Sequence, residues 1–272
     1  MSTASAVPTV RRMDFPFVES DVPSHWFCGD RELTRNADAM HMLFPAGERF
    51  FVRSVRHFSR RVEDPGLKAR IRGFVGQEAM HGREHQRAFA LLERDGLEVA
   101  SFLDAYESHV LRMEARATPL MNLAVTCALE HLTATLGARA FDDPMILRAH
   151  PMMRDLMLWH AAEEVEHKSV AFDVYKAVGG GYLTRVAGMV VAYAFFMYWW
   201  GRGARHLLEQ DGGYSTAGMR ALRKRTQAEG VDLLGDFRRA FVSYLRPSFH
   251  PDDEDNLHLA EDYFAGRMQL AG

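Results

Sequence analysis

The sequence has 272 residues, of which 47% are hydrophobic and 25% are charged, the proportions of an ordinary folded chain. The 33 lysines and arginines against 36 aspartates and glutamates exclude the basic excess that drives nucleic-acid binding. The cysteines, Cys28 and Cys127, form no CxxC motif or disulfide framework, and no secretory apolar segment follows the first residues. We therefore expect a cytoplasmic protein that does not bind nucleic acid.

The first 35 residues carry Pro8, Pro16 and Pro23 among short polar stretches, which predicts an irregular N-terminal arm. Beyond them, apolar residues recur at helical spacing, and no alternation typical of strands is evident. The sequence therefore predicts an all-α fold with a single helical domain over residues 36–272. Its four-helix core covers about residues 36–178, and additional C-terminal helices cover about residues 182–270.

Proline, glycine and aspartate mark the ends of most predicted helices. Pro45 and Gly47 interrupt the first helical stretch, and a short helix is expected near the end of the chain. The longer helical stretches are expected at about residues 36–62, 65–94, 99–116, 119–141, 151–178 and 217–244.

Residues 186–200, VAGMVVAYAFFMYWW, form an uncharged apolar stretch. As a helix it would be roughly 22 Å long, shorter than the hydrocarbon core of a bilayer at roughly 30 Å. We therefore expect it to be buried or to lie at a homodimer interface, with peripheral membrane contact as an alternative. If the segment covers the site described next, it indicates an apolar substrate, such as a lipid or an aromatic compound.

The core helices carry glutamates and histidines among apolar residues. Residues 78–81 and 164–167 are both Glu-x-x-His, and this spacing places the two side chains about 60° apart on one helix face. The candidate metal ligands, in chain order, are Glu48, Glu78, His81, Glu130, His160, Glu164 and His167. Apart from His160, this is the order of ligands in ferritin-like di-metal bundles. The pattern predicts a ferritin-like four-helix bundle with a dinuclear metal site.

The chemistry of the site explains the residue types. Four glutamates balance the four positive charges of two divalent cations inside an apolar bundle, and histidine supplies neutral nitrogen donors. We expect two metal ions, with iron first and manganese or zinc as alternatives.

Several neighbouring residues leave the ligand set open. Glu163 lies within one turn of His160, so helical angle does not exclude it, and His85 lies one turn beyond His81. Asp173 and His131 are candidates for orienting ligands through hydrogen bonds. Cys127, one turn before Glu130, is expected to be a buried thiol.

Four stretches resemble a family of bacterial proteins described as predicted metal-dependent hydrolases. They are FPAGERFFVRSVR (44–56), FVGQEAMHGREH (74–85), ALEHLTA (128–134) and WHAAEEVEHKSVAFDVY (159–175). The family looks like a branch of the ferritin-like di-iron superfamily, which implies ligand roles for the six residues other than His160. The position of His160 is similar to that of the additional histidine ligand in di-iron arylamine N-oxygenases.

These patterns favour a di-iron enzyme that uses dioxygen and an external electron donor to oxidise or oxygenate a small apolar substrate. The alternative is a hydrolase that uses a metal-activated water, as the family description implies. A third possibility is a non-catalytic protein that stores iron or associates with membranes. Iron storage is disfavoured because the chain exceeds a bare four-helix unit by about 100 residues.

Overall fold

Twelve α-helices follow an irregular arm at residues 7–30 in the computed structural model, which describes residues 7–267. The helices are α1 (Arg31–His41), α2 (Phe44–Phe58), α3 (Pro65–Arg94), α4 (Ala100–Arg116), α5 (Pro119–Ala140), α6 (Pro144–Leu147), α7 (Pro151–His167), α8 (Val170–Ala177), α9 (Tyr182–Gln210), α10 (Thr216–Ala228), α11 (Leu233–Tyr244) and α12 (Leu257–Phe264). A 3₁₀ turn, Pro251–Asp253, precedes α12. Within the described residues there is no strand, which confirms the all-α prediction.

Local capping signals fix where the long helices begin. The side chains of Asp64 and Thr118 accept hydrogen bonds from the backbone N–H groups of Leu67 and Met121, at the starts of α3 and α5. In both helices a proline follows the cap, where its missing N–H removes no helical hydrogen bond. Pro45 has the same role in the first turn of α2.

The four helices that carry the predicted ligands contact one another in a closed ring. Helix α2 packs on α3 and α5, and α7 packs on the same two helices. The other helices surround this ring: α4 contacts α2, α9 contacts α5 and α1, and α12 contacts α7. The ligand-bearing faces of α2, α3, α5 and α7 therefore turn toward a common interior.

Three predicted helices are each divided in two. The stretch at 36–62 comprises the end of α1 and all of α2, because Pro45 has no N–H to continue the ladder of α1. The stretch at 151–178 is divided between α7 and α8, and the stretch at 217–244 between α10 and α11. Gly230 lies between α10 and α11 with φ of 81°, a conformation that favours glycine and ends the helix.

The N-terminal arm contributes to the core. Phe15, Phe17, Trp26 and Phe27 are buried, and the rings of Phe15 and Trp159 on α7 lie 5.8 Å apart between centroids. Helix α1 begins at Arg31, inside the stretch predicted as arm. Residues 1–6 of the predicted arm and residues 268–272 of the predicted domain lie outside the described range. The division of the chain into an arm and one domain stays a prediction.

The apolar stretch at 186–200 forms the middle of α9. Met189, Ala192 and Phe196 are buried in the protein core, whereas Val190 and Tyr198 on the outer face are exposed. No helix among residues 7–267 combines the length and the apolar character needed to cross a membrane. Homodimer formation and peripheral membrane contact through the outer face stay predictions.

Candidate metal centre

The structure brings together the side chains of all seven predicted ligands. They are Glu48 on α2, Glu78 and His81 on α3, Glu130 on α5, and His160, Glu164 and His167 on α7. Each is buried, with at most 5% of its surface exposed. Their ligand atoms fall into overlapping groups of three whose members lie within 4.8 Å of one another, and one of these groups also includes His85. The residues therefore share one site, while their role as ligands stays a prediction.

One carboxylate oxygen lies between three histidines. Oε1 of Glu164 is 2.9 Å from Nε2 of His160, 3.5 Å from Nε2 of His167 and 3.6 Å from Nδ1 of His81. This position makes Glu164 the carboxylate common to both halves of the cluster.

The remaining glutamates lie beside His160 and His167, and Glu78 also lies close to Glu48 and His81. Nε2 of His167 is 3.1 Å from Oε1 of Glu78 and 3.4 Å from Oε2 of Glu130. On the other side, Nε2 of His160 is 3.7 Å from Oε1 of Glu48. Together with the shared Glu164, the cluster thus offers two adjacent sets of nitrogen and oxygen donors.

Many of these atoms are buried without a hydrogen-bond partner. Both carboxylate oxygens of Glu48, Glu78 and Glu130 are in this state, as are Nδ1 of His81 and Nε2 of His167. An unsatisfied buried polar atom is costly, by about 1–3 kcal/mol and more when charged. Carboxylate and imidazole donors suit divalent first-row cations. The residues therefore fit a metal centre, because bound cations would supply the missing partners.

Burial and mutual repulsion shift the titration of the carboxyl groups. Burial raises the pKa of Glu130 to about 7. Burial, together with the neighbouring glutamates, also raises the pKa values of Glu48 and Glu78 well above their ordinary range. Cations at this site would replace the protons that neutralise these carboxylates.

Glu164 and His167 behave as an ion pair. Burial opposes charge on both groups, but the adjacent His167 and the hydrogen bond from His160 hold the pKa of Glu164 well below its usual value. The carboxylates of Glu164 and Glu130 in turn raise the pKa of His167 well above its usual value. At His81 the effect of burial prevails, and its pKa falls well below that of a free imidazole.

In each histidine of the cluster, the ring nitrogen that faces away from the four predicted glutamate ligands contacts another side chain. Nε2 of His81 is 3.0 Å from Oε2 of Glu163, and Nδ1 of His160 is 2.6 Å from Nε2 of His85. Nδ1 of His167 donates to Oε1 of Gln77 over 2.9 Å. Such partners fix the orientation of metal-ligating histidines and the nitrogen that faces the metal. Glu163, which the sequence left open, therefore lies behind His81. His85, also left open, contacts His160 and lies close enough to Glu48 and His160 to share a cation with them.

The N-terminal arm contacts the side chains that lie behind the histidines, which we call the outer layer. Nη1 of Arg11 lies 3.0 Å from Oε1 of Glu163 and 2.9 Å from Oε2 of Glu166. Gln77 donates to the backbone carbonyl of Thr9 over 3.1 Å. Arg11 and Gln77 were not predictable from the sequence, because these contacts join segments far apart in the chain and no local motif marks them.

The other open candidates have partners away from the ligands. Asp173 is paired with Arg70 and His250, and His131 lies 3.1 Å from the backbone carbonyl of Ala240. Cys127 is buried, and burial raises the pKa of its thiol well above its usual value. Thr133, which the sequence analysis did not consider, donates its hydroxyl hydrogen bond to Oε2 of Glu164.

A cavity of about 150 Å³ reaches the cluster at His160 and Glu164. Residues of α1, α5 and α7 line it, together with Trp200 from the apolar stretch of α9 and residues from the region of α10 and α11. The segment at 186–200 thus contributes to the wall of a space that ends at the candidate metal centre.

Comparison with known families gives one match. A family model described as "Predicted metal-dependent hydrolase" matches residues 9–255 and therefore covers most of the chain. This match confirms the resemblance that the four sequence stretches indicate. Neither a curated protein nor a solved structure matches the chain.

Proposed function

We propose that this chain, which belongs to the family of predicted metal-dependent hydrolases, is a dinuclear metal-dependent hydrolase built on a ferritin-like four-helix bundle. The observation that carries the proposal is the buried set of four glutamates and three histidines, with orphaned oxygen and nitrogen atoms facing one another. The ring of α2, α3, α5 and α7 supports the bundle assignment, since each of these helices contributes ligands in the order typical of di-metal bundles.

The donor set matches the charge of two divalent cations, with iron as the expected metal and manganese or zinc as alternatives. When bound, such a pair polarises a carbonyl or phosphoryl oxygen and lowers the pKa of a coordinated water. Glu164, with His160 and His167 on either side, would be shared between the two cations. Glu48 would complete the half with His81 and His160, and Glu130 the half with His167. Glu78 lies within reach of both halves.

The protein's own contribution is orientation and exclusion of water. Thr133 fixes Oε2 of Glu164 through its hydroxyl hydrogen bond, which leaves Oε1 toward the histidines. Gln77 holds Nδ1 of His167 so that its Nε2 faces the carboxylates. Burial of the ligands keeps bulk water from competing for the donor atoms.

The oxidation that the sequence analysis placed first stays a prediction. It depends on the ligand pattern and on the additional histidine His160, whereas the family description agrees with the hydrolytic alternative. Both reactions would use the same side chains, so the metal that supports turnover separates them. An oxidase would also need dioxygen and an external electron donor.

Metal reconstitution tests the proposal. Protein treated with a chelator and reloaded with Zn²⁺ or Mn²⁺ should hydrolyse members of a panel containing p-nitrophenyl hexanoate, a matching anilide and bis(p-nitrophenyl) phosphate. The Glu130→Gln variant, reloaded in the same way, should be inactive, while the matched exposed variant Glu63→Gln should keep full activity. Equal activity in chelator-treated protein or in Glu130→Gln would contradict a metal-dependent hydrolase.

The same preparation tests oxidation. Protein loaded anaerobically with Fe²⁺ and then exposed to air should consume little dioxygen if hydrolysis is the reaction. Rapid dioxygen uptake with a new ferric absorption band, together with no hydrolysis by any metal form, would favour the oxidative alternative.

A further inference from the structure

We propose that the cavity beside the metal centre binds an uncharged apolar group, either an aromatic ring or a medium-length alkyl or acyl chain, with the reacting bond at its inner end. This inference rests on the proposed function only for the statement that the bound molecule is a substrate. The binding itself depends on the shape and chemistry of the cavity walls.

The cavity walls are largely apolar. Leu33 and Ala37 of α1, Leu136 and Ala140 of α5, and Met157 and Ala161 of α7 face the same space. A dry apolar cavity of about 150 Å³ can hold a molecule of the size of benzene. The cavity here has a volume of about 150 Å³, so it suits a ring or a short chain.

Three polar side chains of the wall have a hydrogen-bond partner within the protein, although Nε of Arg139 is buried without one, 4.0 Å from Oδ2 of Asp236. Asn36 donates to the carbonyl of Glu32, Arg139 to the carbonyl of Gly230, and Thr226 to the carbonyl of Arg223. A strongly polar ligand would lose hydration and gain few replacement hydrogen bonds from these groups. The cavity therefore selects against such ligands.

Asp143 and His41, two further polar residues of the wall, also have partners within the protein. Asp143 accepts a hydrogen bond from the backbone N–H of Met145 and caps α6. The Nδ1 atoms of His41 and His85 lie 2.8 Å apart. His85 in turn contacts His160, one of the two candidate ligands that face the cavity. The reacting group of a bound molecule would therefore meet the metal centre at His160 and Glu164.

Methionines make the walls adaptable. Met40, Met145 and Met157 line the cavity, and the unbranched side chain of methionine repacks around ligands of different shapes. A cavity with such walls accommodates a ring and a chain of similar volume. We therefore expect affinity to follow the apolar character of the ligand more than its exact outline.

Calorimetric titration of the full chain as purified tests the binding. Benzene and 1-hexanol should bind, whereas 1,6-hexanediol, which has the same chain length and a second hydroxyl, should bind at least about tenfold more weakly. Equal affinity for the diol and the alcohol would overturn the inference, as would the absence of binding by both benzene and 1-hexanol.

Two variants that fill the cavity from different helices locate the binding site. Ala37→Phe on α1 and Met157→Trp on α7 should each weaken 1-hexanol binding by more than about tenfold. Ala194→Phe, on the exposed face of α9, serves as the matched control and should bind 1-hexanol as the parent does. Unchanged binding in whichever filled variants fold, judged by their circular dichroism and metal content, would overturn the inference.

The outcome is separable from that of the proposed function because binding is measured without turnover. Binding of 1-hexanol that is lost in the filled variants supports the inference even if no ester is hydrolysed. Hydrolysis of p-nitrophenyl hexanoate that survives unchanged in both filled variants would support the metal-dependent hydrolase and overturn the assignment of the cavity.

Discussion

Each histidine of the candidate centre presents one nitrogen to the carboxylates and has the other held by a side chain behind it. The pairs are His81 with Glu163, His160 with His85, and His167 with Gln77. An acceptor oxygen behind the ring, as at His81 and His167, binds the proton of the rear nitrogen and orients the other nitrogen toward the site. The geometry of the centre is therefore specified before any cation binds.

Removal of one histidine ligand should empty part of the centre. We expect His167→Ala to lower the metal content from two cations per chain to one or none, because His167 faces both Glu78 and Glu130. The measurement is elemental analysis of the purified variant beside His57→Ala, a change at an exposed histidine of α2. Full metal content in His167→Ala would contradict the ligand assignment.

Arg11 offers a test of the outer layer. Because its guanidinium pairs with Glu163, which holds His81, we expect Arg11→Gln to weaken metal affinity by about 10–100-fold. Competition with a metal-binding dye measures this affinity, and the neighbouring exposed variant Arg12→Gln is the control. An unchanged metal affinity in Arg11→Gln would show that the arm does not affect the metal centre.

At the residue scale, the sequence predicted the positions that helical spacing controls. The two Glu-x-x-His pairs lie on one face of their helices because that spacing brings side chains together on any α-helix. Gln77, Thr133 and Arg11 were not predictable in this way. Their roles depend on which other segment lies opposite, and that is decided by tertiary packing.

Close approach of the helices depends on small residues at the contacts. A Cβ at Gly137 of α5 would lie 2.8 Å from the backbone oxygen of Ala161 on α7, and that backbone cannot rotate away as a side chain can. Since α5 carries Glu130 and α7 carries Glu164, the spacing of the two helices also sets the spacing of their carboxylates. Glycine at position 137 thus links helix packing to the geometry of the centre.

We expect Gly137→Ala to destabilise the protein by about 1–3 kcal/mol, because α5 and α7 must separate to admit the methyl group. Gly201→Ala is the matched control: a Cβ there meets no atom within 4 Å, and the position is helical and exposed. That control should gain about 0.5–1 kcal/mol from better helix propensity. Urea denaturation measures both changes, and equal stability of the two variants would contradict this account of the α5–α7 contact.

At the element scale, helices with strong local end signals were predicted closely. Helix α3 runs from Pro65 to Arg94, as the aspartate and proline at its start and the Asp-Gly pair after it indicate. The break at residues 168–169 between α7 and α8 was missed, since neither glycine nor proline marks it. The sequence predicts helix ends where capping chemistry is local, and it gives no warning where packing alone ends a helix.

Taken over the whole molecule, the buried carboxylates make stability depend on pH. The pKa of Glu130 is raised from 4.5 to about 7, so the folded chain without metal holds a proton that the unfolded chain releases. This carboxyl group therefore stabilises the folded state less as the pH rises from about 4.5 through 7. His81 has the opposite effect, but only below about pH 6.5, where the unfolded imidazole takes up a proton.

We therefore expect the metal-free protein to lose stability as the pH rises above about 6.5, where the raised pKa values of the carboxyl groups and of His167 dominate. Bound divalent cations replace the protons, so the stability gap between metal-loaded and metal-free protein should widen over the same range. Thermal denaturation of both forms at several pH values measures this gap. A gap that stays constant with pH would argue against proton displacement by metal.

The central claim is that two cations lie side by side among the seven buried ligands. The most direct measurement is an anomalous difference map from a crystal grown with Mn²⁺. We expect two peaks roughly 3.5–4 Å apart, one beside Glu48, His81 and His160, the other beside Glu130 and His167, with Glu78 and Glu164 near both. A map with no peak at these residues, or with its manganese bound elsewhere, would contradict it.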